Sequence, residues 1–383
     1  MKKKNYILLT VLLVLYLCAF YLKWGSWGNY PKSRSISPRI HVQINPYLKG
    51  KDKKLATQAI NKADGMIRNK RFSGTITVVR NGKLLTQVSA GWQNHKMHQY
   101  NSSHTQYLVA SVSKSMTAAL IGKLAQEGKI KLSDPLSKYY PTIKNAKKVT
   151  LQDLLNHRSG LVVDQKVEND KYTTYGEYLK KLVKHSHIDP KKIGKWKYQS
   201  YNYNLLAGIA TQISHLDYRS DLNETVMCPL NITGWNLADK KSDKGAINYR
   251  YSKKKEKLVR AHPINLYENY GAGQLEINGW SLYRALSGLL EGRVLSRKVT
   301  QRLYALPKNT NGTYYTAGFY HLKNRIGKQK VYHIHGLDKG CETSLLISTD
   351  GKNAVIVQSN ARHYTKAKLN YYFDKPLFKM IVR

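Results

Sequence analysis

The chain has 383 residues, long enough for one large domain or two modest ones with a sizeable buried core, which excludes a small scaffold stapled by disulfides or metal. Hydrophobic residues make up 42% and charged residues 23%, values that exclude wholesale disorder. Lys and Arg number 64 against 23 Asp and Glu, a formal net charge of +41, so the surface concentrates polyanions and releases them as salt rises.

Met1–Lys4 is basic, and Tyr6–Leu22 is an uncharged apolar run of 17 residues, at the short end of the roughly 17 to 25 that span a bilayer. The run ends in Phe20, Tyr21, Leu22, Lys23 and Trp24, without the small residues of a signal-peptide cleavage site. The sequence therefore predicts a retained single-pass anchor over residues 1–22, with the remainder of the chain outside the cell. Residues 23–50 are rich in Gly, Ser, Pro and basic residues without sustained periodicity and read as a stalk. Cys18, Cys228 and Cys341 lie far apart, so neither a disulfide framework nor a zinc site is expected.

The folded unit is expected over residues 51–383. Leu55, Ala56, Ala59, Ile60, Ala63, Met66 and Ile67 recur at helical spacing within Lys51–Lys70. Phe72–Val79 and Lys83–Val88 then read as a hairpin turned at Asn81-Gly82. Residues from about 130 to 272 are richer in helical stretches and loops and form a mainly helical subdomain. Val331–Ile334, Thr343–Ser348 and Ala354–Val357 are β-rich pieces expected to close the sheet begun by the first hairpin. The fold class is α+β: an antiparallel sheet flanked by helices, with a helical subdomain and the N-terminal transmembrane helix.

The pattern S-x-x-K occurs twice, and context separates the copies. Ser252-Lys253-Lys254-Lys255 sits in a lysine run with no hydrophobic side, whereas Ser111-Val112-Ser113-Lys114 opens a helical pattern carried by Val112, Met116, Ala119, Leu120 and Leu124. Positions i and i+3 share a helix face, so Lys114 can reach Ser111. A lysine desolvated by packing has a lowered pKa and can accept a serine proton. Free N–H groups at the helix start suit an oxyanion forming at an attacked carbonyl.

The stretch Leu108–Pro141 (LVASVSKSMTAALIGKLAQEGKIKLSDPLSKYYP) resembles the superfamily of serine β-lactamases and penicillin-binding DD-peptidases, in particular its class C-like branch. Four further stretches agree in order: Phe72–Lys83, Val149–Leu161, Tyr198–Ser214 and Tyr270–Leu286. The resemblance covers about Phe72–Asn360 and implies that Ser111 is the nucleophile and Lys114 its first partner. At the place of the family's Y-x-N motif stands Tyr198-Gln199-Ser200. It implies Tyr198 as second base and acid, its phenolate favoured by Lys114, and Ser200 as a hydroxyl in place of the usual amide. The third motif falls in His333-Ile334-His335-Gly336-Leu337-Asp338-Lys339-Gly340. Counting back from Gly340 puts Gly336 on the motif glycine and Ile334 on the usual cationic position, with the Leu337 N–H completing the oxyanion hole, whereas counting forward from His333 requires a one-residue insertion. Either His333 or His335 is then expected to orient substrate. His157, in Asn156-His157-Arg158-Ser159-Gly160, looks like part of a structural turn.

A serine with Lys and Tyr partners implies acyl transfer through an acyl-enzyme. Neither cofactor nor metal is expected, for no P-loop, H-E-x-x-H helix or ligand spacing occurs. A basic, wall-facing domain suits an anionic polymer such as teichoic acid, and the Y-x-S form looks like that of teichoic acid D-alanyl esterases. Hydrolysis of D-alanyl esters is the leading expectation. A peptidoglycan D-Ala-D-Ala carboxypeptidase acting on stem peptides, a β-lactamase-related esterase, and a catalytically weak module tethered to wall polymer are the alternatives. No nucleic acid is expected as partner, since no recognition motif accompanies the charge.

Overall fold

A computed structural model of the chain describes residues 39–383, apart from residues 71, 168–170, 240–241, 253–256, 308–309, 311, 339 and 363–370. The expected membrane anchor, most of the expected stalk and the lysine run after Ser252 lie outside the described residues. Among the described residues no helix is long and apolar enough to cross a membrane.

Eight strands form one antiparallel sheet: β1 (Ile40–Ile44), β2 (Gly74–Arg80), β3 (Lys83–Ala90), β4 (Tyr315–Thr316), β5 (Phe319–His321), β6 (Val331–Asp338), β7 (Cys341–Ser348) and β8 (Ala354–Ser359). Their spatial order is β1-β3-β2-β8-β7-β6-β5-β4. The β2–β3 hairpin turns where Asn81 and Gly82 both take positive φ, 49° and 76°, the conformation that a two-residue turn of matching twist requires. The expected closure occurs between β8 and β2, in a register running from Ala354 opposite Val79 to Ser359 opposite Gly74. β7 and β8 are buried along their whole length because both their faces are covered.

One boundary differs from expectation. The sheet takes in residues before 51, because β1 pairs with β3 from Ile40 opposite Ala90 to Ile44 opposite Thr86. The alternation Ile-His-Val-Gln-Ile is only five residues long and is masked by the Pro-rich basic composition before it. Pairing satisfies the backbone groups of β3 at an otherwise open sheet edge.

Helices cover both faces of the sheet. On one face lie α1 (Gly50–Lys70) and the C-terminal helix (Tyr371–Ile381), burying Leu55, Ala59, Ala63, Ile67, Phe373, Leu377 and Phe378 against Ile76, Val78, Leu346, Val355 and Val357. The apolar spacing read from the sequence is the stripe that α1 buries. On the other face α2 (Lys114–Gln126) is buried almost all round. It packs with α3 (Leu151–Leu155), α4 (Tyr175–Lys184), α5 (Ser200–Ser214), α6 (Tyr218–Leu222), α7 (Gly279–Leu290) and α8 (Arg297–Leu303). The helical stretch from 130 to 272 shares this core with α2, α7 and the sheet residues Ile334, Leu345 and Ile356. The helix carrying the S-x-x-K lysine is therefore clamped between the sheet and the helical layer.

Candidate active site

Ser111 lies in a single 3-10 turn, Ala110–Ser113, which runs directly into α2. Ala110 takes a left-handed φ of 45°, rare for a residue with a β-carbon, and turns the chain out of the short strand Tyr107–Leu108. The Ser113 hydroxyl ties the turn down by donating to the Ala110 carbonyl at 2.7 Å and accepting from the Leu275 N–H at 3.2 Å. Ser111 itself stays half-buried at the mouth of the turn. The competing Ser252 ends a short strand, Tyr249–Ser252.

Lys114 is completely buried and donates from Nζ to three oxygens: Ser111 Oγ at 3.2 Å, Ser200 Oγ at 3.3 Å and the Ala272 carbonyl at 3.0 Å. Burial pulls its pKa down to about 7, against an opposing pull from the Asp338 carboxylate. A substantial fraction of the amine is therefore neutral at neutral pH, and in that form a lone pair replaces one of the three donors and can accept the Ser111 proton at 3.2 Å. The hydroxyl at Ser200 does reach Lys114, as the replacement of the usual amide implies.

Tyr198 corrects the sequence reading. Its phenol is hydrogen-bonded to Ser111, and Lys114 Nζ lies 5.0 Å from its ring centroid, yet burial outweighs the help from Ser111 and pushes its pKa up to about 12. It holds its proton at neutral pH instead of standing as a phenolate. Two groups on one hydroxyl, one pulled down to about 7 and the other pushed up to about 12, divide the work: Lys114 is equipped to take a proton and Tyr198 to give one. Tyr198→Phe removes only that donor. The expected result is a fall of about 10²-fold in kcat on an unactivated alkyl ester, whose leaving alkoxide needs a proton, with the rise of activity towards pH 7 unchanged. Wild-type turnover in the variant, measured by stopped assay, would remove Tyr198 from the proton path.

The third motif is decided by strand alternation. Residues of β6 two apart share a face. Gly336 lies against the Ser111 turn so closely that a β-carbon there would sit 2.0 Å from the Val109 carbonyl oxygen and 3.1 Å from the Ser111 nitrogen. Ile334, on the same face, enters the core beside Val109, Val112 and Met116. His333 and His335 point to the opposite face: His333 Nε2 meets Ser344 Oγ at 3.2 Å, and His335 Nε2 meets Glu342 Oε1 at 3.1 Å. Ser344 in turn donates to the Asp374 carboxylate of the C-terminal helix. Both histidines thus face Ser344 and Glu342, and the His333 ring also lies 6.3 Å from that of Tyr320, its partner across β5 and β6. The physical reason is parity: the even residues Ile334 and Gly336 face the core and the Ser111 turn, and the odd residues face the other way.

Leu337 follows Gly336 on β6. The turn after Asp338, which faces Cys341, makes that pair the hydrogen-bonded one, so the next pair, Leu337 opposite Glu342, directs its backbone groups away from β7. β5 pairs only with Tyr332 and His333, which leaves the Leu337 N–H on an open edge beside the Ser111 turn. Gly336 packs against the Ser111 turn, so the Leu337 N–H follows that contact by one residue and is the strand donor that could join the Ser111 N–H at a carbonyl oxygen.

Residues that sequence reasoning passed over complete the walls. His157 is buried with its ring 4.4 Å from that of Tyr198 and 4.9 Å from that of Tyr315. Ser159 Oγ donates to Asn202 Oδ1, so the Asn202 amide turns its NH₂ to His157 Nδ1 at 3.2 Å, which places the histidine proton on Nε2. Burial and the Lys114 charge hold its pKa well below the usual histidine range, so it is a neutral buttress behind Tyr198. Arg158 donates to the carbonyls of Gly194, Thr310 and Thr313, bolting the loop that carries Trp196 and Tyr198 to the segment before Tyr315. The Trp196 ring lies 6.3 Å from Tyr198 and 6.5 Å from Tyr320, forming the aromatic rim. Only the Asn156–Gly160 turn signal could have pointed to any of these from sequence.

Residues 58–375 match the family model described as Beta-lactamase. The chain belongs to that family. It is 27% identical over 297 residues to PbpX of Bacillus subtilis strain 168, named among the penicillin-binding proteins, covering 77% of this chain and 72% of that one. It is 30% identical over 243 residues to the teichoic acid D-alanine hydrolase of Staphylococcus aureus strain MRSA252, covering 63% of this chain and 60% of that relative's length. The crystal structure of FmtA from Staphylococcus aureus superposes with a TM-score of 0.73 at 24% identity over 84% of this chain and 89% of that chain, which shows the shared fold. The family's serine hydrolase chemistry is what the Ser111, Lys114 and Tyr198 geometry is built to perform.

Proposed function

We propose that this protein is a membrane-anchored, extracytoplasmic serine hydrolase that removes D-alanine from D-alanyl esters of a teichoic acid-type wall polymer. The observation that carries the reading is the triad of contacts around one hydroxyl: buried Lys114 at 3.2 Å from Ser111 Oγ, with Tyr198 on the other side. Ser111 attacks the ester carbonyl as Lys114 takes its proton, the oxyanion rests on the N–H groups of Ser111 and Leu337, and Tyr198 protonates the departing polymer hydroxyl. Water then releases D-alanine by the reverse proton path. Support for the substrate comes from the similarity to a relative named for that hydrolysis and from the net charge of +41, which suits an anionic polymer.

The similarity to PbpX favours a second reading, a D-Ala-D-Ala carboxypeptidase acting on peptidoglycan stem peptides. Free D-alanine measured from D-alanylated lipoteichoic acid and from a D-Ala-D-Ala muropeptide separates the two. Release from the polymer is expected to fall steeply between low and high salt, while hydrolysis of a small neutral ester changes little, because charge acts on capture and not on the acyl step. Release from the muropeptide alone overturns the esterase reading, and salt-sensitive polymer binding without any release makes the protein a tether.

A further inference from the structure

A D-alanyl ester carries a free α-amino group, cationic through most of the neutral range because an ordinary α-amino pKa is about 8. Resting on the esterase reading above, the site must therefore draw a cation towards a protein of net charge +41 and towards the neighbourhood of Lys114. The α-nitrogen is one carbon from the attacked carbonyl, so its partner has to stand beside the oxyanion donors.

Three carboxylates stand on or behind the β6–β7 hairpin. Glu342 points to the far face with His335, and Asp374 receives the Ser344 hydroxyl on that same far side. Asp338 is different. It follows Leu337 directly and shares the even-numbered face of β6 with Gly336, whose α-carbon rests on the Ser111 turn. Its partner across the strands is Cys341, which packs with Leu108 and with Ala110, the residue before the nucleophile. Cross-strand partners share a face, so Asp338 is also held on the nucleophile side. Its field reaches both the Cys341 thiol and the Lys114 ammonium.

We infer that Asp338 is the specificity-determining carboxylate of the acyl subsite, pairing with the α-ammonium of a D-aminoacyl group whose carbonyl oxygen lies between the Ser111 and Leu337 N–H groups. The substrate class it selects is the aminoacyl ester with an unblocked amine, in preference to a simple or N-acylated acyl ester. Asp338 is half-buried, so the charge-assisted pair discriminates more strongly than at an open surface.

The test uses the full chain and two glycerol esters that differ only in the α-amino group, D-alanyl and propionyl, with kcat/KM measured for each. Wild type is expected to prefer the D-alanyl ester, and Asp338→Asn to lower the D-alanyl-to-propionyl ratio about tenfold, chiefly through KM. A ratio unchanged in Asp338→Asn overturns the assignment. Wild type that hydrolyses the propionyl ester and not the D-alanyl ester overturns the esterase reading instead. Should Asp338→Asn fail to fold, wild type still decides: the ratio is expected to drop as pH rises through the substrate's amine pKa, and a flat ratio overturns the pairing.

Discussion

Ser111→Ala and Lys114→Met are each expected to reduce kcat on an activated ester by about 10³-fold or more, and the double variant to fall no further than either single one. The argument is geometric: one proton passes between two atoms 3.2 Å apart, so removing either end breaks the same step. Lys114→Met also removes a fully buried amine, and a side chain of similar length fills its place, so folding is expected to survive; far-ultraviolet circular dichroism checks this. The pH profile gives an independent reading. Burial lowers Lys114 to about 7, and its neutral form is the base, so kcat/KM is expected to rise about tenfold per unit as pH increases towards 7 and to flatten above it. Tyr198, at about 12, keeps its proton over the whole of that range and adds no second break near neutrality. Wild-type activity in Ser111→Ala, or a profile flat from pH 5 to about 9, contradicts the assignment.

Gly336→Ala is expected to cost about 10²- to 10³-fold in kcat, the loss typical of a missing oxyanion donor. The added methyl would lie 2.0 Å from a backbone oxygen, Val109 O, which cannot rotate aside as a side-chain tip could. β6 must therefore draw back from the Ser111 turn, which parts the Leu337 N–H from the Ser111 N–H. Gly65, within α1, provides the control, because a β-carbon there meets nothing within 4 Å. Gly65→Ala should leave turnover unchanged and raise stability by up to about 1 kcal/mol through helix propensity. Equal activity in Gly336→Ala and wild type would show that the two N–H groups do not share the developing charge.

Local pattern carried much of the architecture. The α1 stripe, the Asn81-Gly82 turn and the three β-rich pieces near the end are written in spacings of three to four or of two residues, and those spacings survive folding because each element buries one face or both. β1 escaped because five alternating residues behind a basic, Pro-containing segment give too weak a period, and its partner strand lies more than forty residues on. The same logic holds in the site. Ser111 and Lys114 are three residues apart, so local helical geometry joins them, and the register counted back from Gly340 fixed Gly336 and Leu337 through the alternation of one strand.

What the sequence determined by itself, then, is the family, the α+β class and the pairing of Ser111 with Lys114, all of which rest on short-range order or on an ordered set of motifs. Only the tertiary structure decided the protonation of Tyr198, the partners Ser344 and Glu342 of His333 and His335, and the service of His157 and Arg158 as buttress and bolt. Each of those depends on burial or on contacts between segments tens of residues apart. Desolvation has no signature in local spacing: a tyrosine in a cluster of tyrosines reads the same whether its phenol faces water or, like Tyr198, lies packed against His157, Trp196 and Tyr315.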